Sequence, residues 1–481
     1  MAQCEAHKFG APDSDKFGYS LATGADYAAT GAYGSDFLGS ASGAVYVLSL
    51  NSETWEIEAV LLASDAAVES FFGWSVAADG DVVVAGAPYA SPFGSRSGSA
   101  YVFERIAGVW TQTQQLLPSD GDEYDLFGYA VAVSGHAVAV GARDDEENGG
   151  DAGSVYVFEQ SPEGTWAQAA KLVASDGEVG DRFGYALALD GDTLLVGAPE
   201  DDDLGWTAGA AYVFERGAAG DWVEAAKLHA ADSIALQGFG YYVALSGATA
   251  LVGAADANGV QERCGAAYVF DRTTDGGWIE TQKLIASDGR TSDFFGWGVA
   301  IDGGTALIGA AGDNQFGADD IGSTYVFQRQ WDGAWLERAK LYATDHEEND
   351  MFGSAVALRG STAIIGAYGD DDFGNQSGAA YVFDLAGHDC NANDRCDSVD
   401  IQEGSSPDAN ANGWPDECEA GDCAADLDAD GDVDLADLSA LLSNFGLSAD
   451  QSGGDGDLDG DSDVDLADLS ALLTEYGLFC P

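Results

Sequence analysis

Two acidic loops near the C-terminal end carry the most specific chemical pattern in the sequence. An alternating set of carboxylates occupies positions 1, 3, 5, 9 and 12 of a loop of the EF-hand length, with a further aspartate at position 7. In the first loop these residues are Asp426, Asp428, Asp430, Asp434 and Asp437, with Asp432 at position 7. In the second loop they are Asp457, Asp459, Asp461, Asp465 and Asp468, with Asp463 at position 7. Such spacing directs oxygen ligands to one centre, so the pattern predicts a Ca²⁺ site in each loop.

Each loop continues into the sequence LADLSALL, at residues 435–442 and 466–473. The apolar spacing of this segment predicts an amphipathic helix. The first loop has Gly431 at the sharp turn, whereas the second has Ser462, which lacks the conformational freedom of glycine. We therefore expect the second site to bind more weakly. A disordered acidic tail is the alternative, but it does not explain why the helix pattern occurs twice.

A connector with oxygen-bearing side chains precedes these loops. Within the sequence DANANGWPDEC, ligand-type residues recur at alternate or near-alternate positions around Gly413. Oxygen ligands spaced in this way along a loop are typical of calcium sites. The residues that we expect to bind the metal here are Asp408, Asn410, Asn412 and Asp416.

The larger part of the chain is organised by a sevenfold repeat. In one copy, residues 183–214, a Phe-Gly pair opens an apolar run that reaches a turn at Asp190-Gly191, and a second run ends in Gly-Ala-Pro. After an acidic loop, a third run ends in Tyr-Val-Phe. Two short runs joined by an Asp-Gly turn predict a β-hairpin. The copies start 55 to 57 residues apart, at Phe17, Phe72, Phe127, Phe183, Phe239, Phe295 and Phe352.

Each copy contains four strand-like runs, which in the third copy cover residues 129–133, 137–141, 154–159 and 166–172. A period of this length with four short strands is typical of a propeller. The sequence therefore predicts a mainly β fold, a seven-bladed β-propeller of four-stranded antiparallel blades, with a small α-helical domain after it. We place the propeller at residues 1–386, the connector at 387–420 and the C-terminal module at 421–481.

The seventh copy lacks a fourth run, and the N-terminus supplies a matching one. Lys8-Phe9 resembles Lys171-Leu172, which belongs to a fourth run. We expect the first residues to complete the seventh blade and so to remove two exposed sheet edges.

The seven cysteines cluster at the ends of these modules, as expected of disulfides in an extracellular protein rather than of a zinc or catalytic set. A bond between Cys4 and Cys390 would join the two chain ends within blade seven, and a local bond between Cys390 and Cys396 is the alternative. Further candidate pairs are Cys396–Cys418 and Cys423–Cys480.

The net charge of −65 makes nucleic acid or an anionic membrane an unfavourable partner and favours cations or basic partners. No apolar run approaches the length of a membrane span. The N-terminal sequence lacks the layout of a signal peptide, yet strands begin so early that we expect a mature secreted form.

Catalytic patterns are missing from the sequence. The five histidines show no metal spacing, and HExxH, GxSxG, P-loop and CxxC motifs do not occur. Acid pairs such as Asp176 and Asp181 recur in several copies, which indicates turn chemistry rather than one catalytic dyad. The tryptophan that opens each fourth run is interpreted as a packing residue rather than a sugar platform. We therefore expect that the protein is not an enzyme.

Blade geometry predicts one strongly acidic face. In a four-stranded blade, the loop between strands two and three and the connection to the next blade emerge on the same side. The long acidic segments fall in these loops, at residues 120–125, 144–151, 200–203, 319–320, 345–350 and 370–372. This face is a candidate site for cations, a basic partner or a glycan, and a merely solvated surface is the alternative.

The repeats resemble the FG-GAP family, whose members include the propellers of integrin α-subunits. The resemblance rests on Phe-Gly at Phe72 and Phe183 and on Gly-Ala-Pro at Gly86 and Gly197, and it covers about four-fifths of the chain. Integrin blades often hold an Asp-rich calcium loop between these two elements. Here that span is a short turn, so the resemblance does not imply calcium in the blades.

Residues 421–481 are similar to a type I dockerin, a duplicated calcium-binding unit that binds cohesin domains. The resemblance maps the dockerin ligands onto the aspartates named above and implies recognition through Leu438-Ser439 and Leu469-Ser470. The connector resembles thrombospondin type 3 calcium repeats.

These features together predict a secreted or cell-surface, calcium-binding protein for binding or adhesion. Its propeller would recognise a ligand, and its C-terminal module would dock on a cohesin-like domain or a neighbouring subunit. A homo-oligomeric structural subunit of a surface layer or filament is the first alternative. A propeller-type enzyme acting on polysaccharides is the second.

Overall fold

The computed structural model describes residues 5–11, 15–51, 54–147, 149–314 and 318–386, and beyond them residue 427, residues 435–445 and residues 464, 466, 468, 469 and 472. The chain divides into two compact units, which cover Gln3–Ala386 and Gly387–Pro481, apart from isolated residues at the N-terminus. Among the described residues, no helix is long and apolar enough to cross a membrane.

The first unit consists of seven four-stranded antiparallel sheets, as the repeat pattern predicts. Blades one to three contain β2 (Phe17–Thr23), β3 (Tyr27–Ala32), β4 (Ala44–Asn51) and β5 (Thr54–Leu61); β6 (Ser75–Asp79), β7 (Val82–Ala87), β8 (Ser99–Ile106) and β9 (Val109–Leu116); and β10 (Phe127–Ser134), β11 (Ala137–Ala142), β12 (Ser154–Gln160) and β13 (Trp166–Leu172). Blades four and five contain β14 (Ala186–Asp190), β15 (Thr193–Ala198), β16 (Ala210–Arg216) and β17 (Trp222–Leu228); and β18 (Tyr242–Ser246), β19 (Thr249–Ala254), β20 (Ala266–Arg272) and β21 (Trp278–Leu284). Blades six and seven contain β22 (Phe295–Asp302), β23 (Thr305–Ala310), β24 (Ser323–Arg329) and β25 (Trp335–Leu341); and β26 (Ala355–Arg359), β27 (Thr362–Ala367), β28 (Ala379–Asp384) and β1 (Glu5–Gly10).

The N-terminal strand closes the ring, which confirms the sequence prediction. β1 pairs antiparallel with β28 and occupies the fourth position of blade seven. Lys8 lies opposite Tyr381, as Lys171 lies opposite Tyr156 in blade three. The match between Lys8-Phe9 and the fourth runs therefore predicted the register as well as the strand.

The Phe-Gly and Gly-Ala motifs make the contacts between neighbouring blades. Phe183 is fully buried in an apolar cluster that blades three and four share, and within blade four its ring lies 5.4 Å from that of Tyr212 and 5.7 Å from that of Phe214. A Cβ atom on Gly197 would lie 2.0 Å from the carbonyl oxygen of Gly240 in the next blade. Glycine is required there because a side chain would push adjacent blades apart.

The hairpin turn in blade four differs by one residue from the sequence prediction. Asp190 pairs with Thr193, so the two turn residues are Gly191 and Asp192 rather than an Asp-Gly pair. Gly191 has φ +56°, at the first turn position, where type II′ turns require glycine. Its N–H donates to Ser134 Oγ of the preceding blade at 3.0 Å, so these turns also link neighbouring blades.

Cys264 contradicts the prediction that the cysteines cluster at module ends. It lies within blade five, it is 2% exposed, and it forms no disulfide. Its thiol donates to the carbonyl oxygen of Gln261 at 3.2 Å, so it packs as a small buried side chain. The remaining cysteines, and with them all the predicted pairs, lie outside the described residues.

In the second unit, the helix predicted after the first loop is present as α1 (Leu435–Asn444). The helix predicted at 466–473 is described at only four positions, so the paired helices of a dockerin are not established. The described apolar side chains of the two copies form one cluster, in which Leu441, Val464 and Leu472 are buried. Leu427, Leu438 and Leu469 pack against these three.

Candidate recognition face of the propeller

The predicted calcium ligands are largely outside the described residues. Asp437 lies in α1, and Asp468 is buried. The others are not described: Asp426, Asp428, Asp430, Asp432, Asp434, Asp457, Asp459, Asp461, Asp463, Asp465, Asp408, Asn410, Asn412 and Asp416. In the part of the chain that the structure describes, no group of three or more His, Cys, Asp or Glu side chains could hold a metal ion.

The long loops of the propeller do share one face, as predicted. In each blade this face is formed by the loop between strands two and three and by the connection to the next blade, for example residues 199–209 and 229–241. The two segments are joined by backbone hydrogen bonds, since Leu236 N–H donates to Trp206 O at 2.8 Å and Phe239 N–H donates to Ala208 O at 3.2 Å. We call this side the loop face, and the opposite side carries the short turns.

On the loop face, a lysine from the outermost strand is surrounded by carboxylates from both kinds of loop. In blade four, Lys227 Nζ lies 2.9 Å from Asp176, 2.8 Å from Asp201 and 2.6 Å from Asp203. The Tyr212 hydroxyl lies 2.9 Å from a carboxylate oxygen of Asp176 and 2.9 Å from one of Asp201, so its single proton is donated to one or shared between the two. Asp201 is 4% exposed, so the ammonium supplies the positive charge that a buried carboxylate needs.

We call this arrangement a lysine–aspartate cluster, and it recurs around the ring. Complete clusters occur in blades three, four, six and seven, where the lysines are Lys171, Lys227, Lys340 and Lys8. In blade five Lys283 is kept, but Ala257 replaces the buried aspartate and Asp232 is its carboxylate partner. Blades one and two have Val60 and Gln115 at the lysine position.

These clusters correct the interpretation of the acidic segments as free loop charges. Asp370, in segment 370–372, is 2% exposed and lies 2.8 Å from Lys8, and the Tyr381 hydroxyl donates to it. Asp345, in segment 345–350, also pairs with Lys8, at 2.7 Å. Part of the negative charge on this face is therefore neutralised by the chain itself, and reversing the charge of Asp370 would damage the fold.

A second buried carboxylate lies behind each complete cluster. In blade four it is Asp181, which is 4% exposed and accepts a hydrogen bond from Glu178 N–H at 2.8 Å. Burial, reinforced by the charge of Asp201, raises the pKa of Asp181 to about 6. For the same reason the pKa values of Asp125 and Asp293 rise to about 6 and that of Asp350 rises to about 7.

These raised pKa values predict that the propeller is more stable in mildly acidic solution. Each aspartate binds its proton more tightly in the folded state than at the ordinary value of 3.8, so stability should rise as the pH falls from 8 to about 5. Below about pH 4 the trend should reverse, because pairing with lysine and tyrosine lowers the pKa of cluster carboxylates such as Asp176, despite their partial burial. Melting temperatures across this range would test the prediction.

Asp181→Asn removes one of these titrating carboxylates and so tests its share of the pH dependence. The amide fits the site because Gln237 occupies the equivalent buried position in blade five. It should be more stable than the parent at pH 8, by at most about 3 kcal/mol, and the difference should shrink at pH 5. If the substitution changes the stability equally at pH 8 and at pH 5, the pKa of Asp181 is not raised in the folded protein.

A cavity of about 300 Å³ lies at the propeller axis and is lined by the innermost strands of all seven blades. The residue that follows Phe-Gly faces this cavity and is aromatic in six blades; Ser354 is the exception, in blade seven. These aromatic residues are all half-buried: Tyr19, Trp74, Tyr129, Tyr185, Tyr241 and Trp297.

The aromatic side chains form a nearly continuous belt. The ring centroids of Tyr19 and Trp74 are 5.0 Å apart, those of Trp74 and Tyr129 are 5.6 Å apart, and those of Tyr129 and Tyr185 are 5.0 Å apart. Tyr368, from a loop between strands two and three, contacts Tyr19 at 5.7 Å and joins the belt to the loop face. The cavity therefore opens among the loops.

The residue before each Phe-Gly pair has a left-handed backbone, although six of the seven are not glycine. Lys16 has φ 56°, Phe71 54°, Arg182 57° and Phe294 58°. Such values are unusual for bulky residues. They place side chains at the edge of the belt, where Phe71 stacks on Trp74 at 6.2 Å and Lys16 Nζ lies 5.2 Å from the Tyr368 ring.

Sequence reasoning missed both the belt and the clusters. The repeated Phe-Gly-aromatic triplet was a signal, because its third residue is aromatic in six of the seven copies. Five of the six lysines in this highly acidic chain occupy the same position of the fourth strand in different repeats. This recurrence indicated that each lysine pairs with nearby carboxylates. The prediction that the fourth-strand tryptophan packs is confirmed by Trp166 and Trp335, which are 2% exposed.

The FG-GAP repeat model matches seven times, at residues 10–48, 55–103, 110–158, 166–214, 222–270, 278–327 and 335–383. A crystal structure of a protein from Lactobacillus plantarum is similar, with 16% identity over 68% of this chain and 86% of that chain and a TM-score of 0.43. No curated protein matches the chain. The repeat matches cover more than half of the sequence, and the chain belongs to the FG-GAP repeat family, whose propellers are typical of extracellular proteins of the binding and recognition type.

Proposed function

We propose that this protein is a secreted or cell-surface, non-catalytic binding protein that recognises its ligand on the loop face. The observation that carries the proposal is that the long loops and the aromatic axial cavity share one face of the ring. Aromatic, half-buried side chains around a preformed concavity are typical of ligand sites. The short turns of the opposite face border a cavity of similar volume, about 300 Å³, beside Gly135, His136 and Gly191, but no Phe, Tyr or Trp side chain lines that cavity.

A role in binding rather than catalysis is supported by the chemistry of the acidic groups. The aspartates that repeat in several blades are held by lysine and tyrosine, as Asp176 and Asp201 are by Lys227 and Tyr212. Because the same cluster recurs in four blades, it is better explained as a device that fixes loops than as one reactive centre.

An array of immobilised polysaccharides and basic proteins, probed with the full chain, would test this function. Trp74→Ser should weaken binding, because it removes a belt residue and serine is tolerated at the equivalent Ser354. The matched control is Trp331→Ala, since Trp331 is 98% exposed, in the turn between β24 and β25. If no probe binds, or if Trp331→Ala alone reduces binding, the loop face is not the recognition surface.

For the C-terminal unit we propose calcium-dependent docking on a cohesin-like domain or a neighbouring subunit. The two acidic loops support this, since calcium would offset the mutual repulsion of their carboxylates. The apolar contact between Leu441 of one copy and Val464 and Leu472 of the other is consistent with a duplicated unit that packs on itself.

Calorimetry of the metal-free full chain should show calcium binding that EGTA reverses. The loop containing Gly431 should fill first, because Ser462 replaces glycine at the same turn of the second loop. Asp426→Ala should therefore reduce the affinity of the tighter site, and Asp457→Ala that of the weaker one. Two equal sites would overturn this order, and the absence of binding heat would overturn the calcium assignment.

Self-assembly is a second candidate, favoured by apolar side chains on the loop face. Trp206 is 70% exposed, and Leu204, Ile234 and Leu236 beside it are about half exposed. Exposed apolar clusters of this kind often mark protein contacts. Light scattering with and without calcium would detect assembly, which Trp206→Ser should reduce.

A further inference from the structure

We propose that the axial cavity binds a sugar residue that carries a carboxylate, a uronic acid unit of a polysaccharide. The inference rests on the proposed function, because it names the ligand class for the same loop face. It combines two features of the site: the aromatic belt and two cations beside it, of which Arg143 has one ion pair, with Asp144, and Lys16 has none among the described residues.

The belt suits a ring-shaped ligand with apolar faces and polar edges. Trp74, Tyr129 and Trp297 present half-buried rings to the cavity, and the serines of the innermost strands contribute hydroxyl groups. Aromatic side chains offer large contact area at low entropic cost. A cavity of about 300 Å³ is at the lower end of the size range of small-molecule sites and would hold one or two sugar residues.

Lys16 is the first cation at this site. It is the one lysine outside the lysine–aspartate clusters, and no ion pair is formed by it within the described residues. Its ammonium lies 5.2 Å from the Tyr368 ring, and burial lowers the pKa of this lysine. In a chain with a net charge of −65, a half-buried lysine that forms no ion pair with the described residues is a local exception that favours an anionic ligand.

Arg143 is the second cation. Its guanidinium lies 3.9 Å from the centre of the Tyr129 ring and 5.3 Å from that of Tyr185, so it sits on the belt itself. Its nearest carboxylate, Asp144, is 3.4 Å from Nε, and that Nε atom makes no hydrogen bond to the described protein. Because Nε is itself buried, the donors for a ligand oxygen are the terminal nitrogens of the guanidinium.

These cations decide between ligand classes. A cationic ligand would be repelled by Arg143, which already occupies the faces of two belt rings, and a neutral sugar would leave Lys16 without a counter-charge among the described residues. The acidic loops oppose anion binding most at Arg143, where Asp144 lies 3.4 Å from Nε, whereas charges more than about 8 Å away are largely screened at physiological salt. Lys16 and Arg143 lie beside the rings of Tyr368 and Tyr129, at 5.2 Å and 3.9 Å from the ring centres.

The left-handed backbone at Lys16 determines which substitution is a suitable test. Lys16 has φ 56°, and the residue before each of the other Phe-Gly pairs has a similar value, so this conformation belongs to the repeat. The equivalent Met351 has φ 57°, so the backbone tolerates methionine and Lys16→Met removes the charge with little other change.

The test uses the full chain, with intrinsic tryptophan fluorescence and calorimetry as readouts. The probes are oligosaccharides of galacturonate, mannuronate and glucuronate, each beside its neutral methyl ester. At least one acidic probe should bind, with its ester about tenfold weaker. Lys16→Met and Trp74→Ser should each weaken binding by about tenfold, whereas Arg263→Met, on the same face, and Trp331→Ala should not.

Three results would overturn the inference: no acidic probe binds, acid and ester bind equally, or Lys16→Met leaves the affinity unchanged. The proposed function fails separately. If another ligand class on the array binds and Trp74→Ser weakens it, the loop face remains the recognition surface and only the acidic sugar is wrong. If no probe of any class binds, both fail.

Discussion

Deleting residues 1–12 should lower the melting temperature of the propeller more than any single substitution in a blade. The deletion removes β1, which pairs with β28 and completes blade seven. It also removes Phe9, which is 6% exposed, and Lys8, which holds Asp345 and Asp370. The new edge of β28 would be unpaired, and Asp370 would be a buried charge without its cation.

Two comparisons separate the contribution of the strand from that of a disulfide. Removing residues 1–4 deletes Cys4 but leaves β1, so any loss of stability in this variant belongs to Cys4 and its neighbours. A peptide with the sequence of residues 1–12, added to the longer deletion, should restore part of the stability by pairing with the exposed edge. An unchanged melting curve for the longer deletion would show that β1 does not close the ring.

The second prediction compares one substitution in two blades. Lys227→Met should destabilise the propeller by about 3 to 5 kcal/mol, because Asp201 is 4% exposed and would lose its cation. Lys283→Met should cost about 1 kcal/mol or less, because blade five has Ala257 in place of the buried aspartate and Lys283 pairs with an exposed one. Denaturant unfolding of both variants at pH 7.5 measures the difference.

A double variant combines Lys227→Met with Asp201→Ala. Its blade four then has alanine at the buried position, as blade five has with Ala257. The double variant should recover most of the stability lost in Lys227→Met, since the buried charge is removed together with its partner. Equal losses in blades four and five, or additive losses in the double variant, would show that the lysine acts through packing alone.

The fold followed from the sequence because the repeat supplies the same information seven times. Alternating apolar runs predict strands, and Gly197 could be recognised as a close-contact position because the Gly-Ala pair recurs with the strands. Ring closure was predictable since Lys8-Phe9 matches a fourth strand. The turn at Gly191 was placed one residue too early, because the alternation does not fix which residues of a turn pair across the hairpin.

The candidate site was harder to predict, since it depends on contacts between blades. Lys227 meets Asp176 from the preceding connection and Asp201 from its own blade, and these residues are distant in sequence. Ala257 shows that the cluster also varies from blade to blade. The cavity requires seven strands to meet at one axis, so the position of Trp74 and Trp297 in the repeat became informative only once the ring was known.

Hydroxyl-radical footprinting of the full chain, with and without its strongest ligand from the array, tests the central claim most directly. If the loop face around the axis is the recognition surface, the ligand should protect Trp74 and Trp297 from oxidation and leave Trp331 unchanged. Protection of Trp331, with Trp74 and Trp297 oxidised as in the free protein, would place recognition elsewhere and contradict the proposed function.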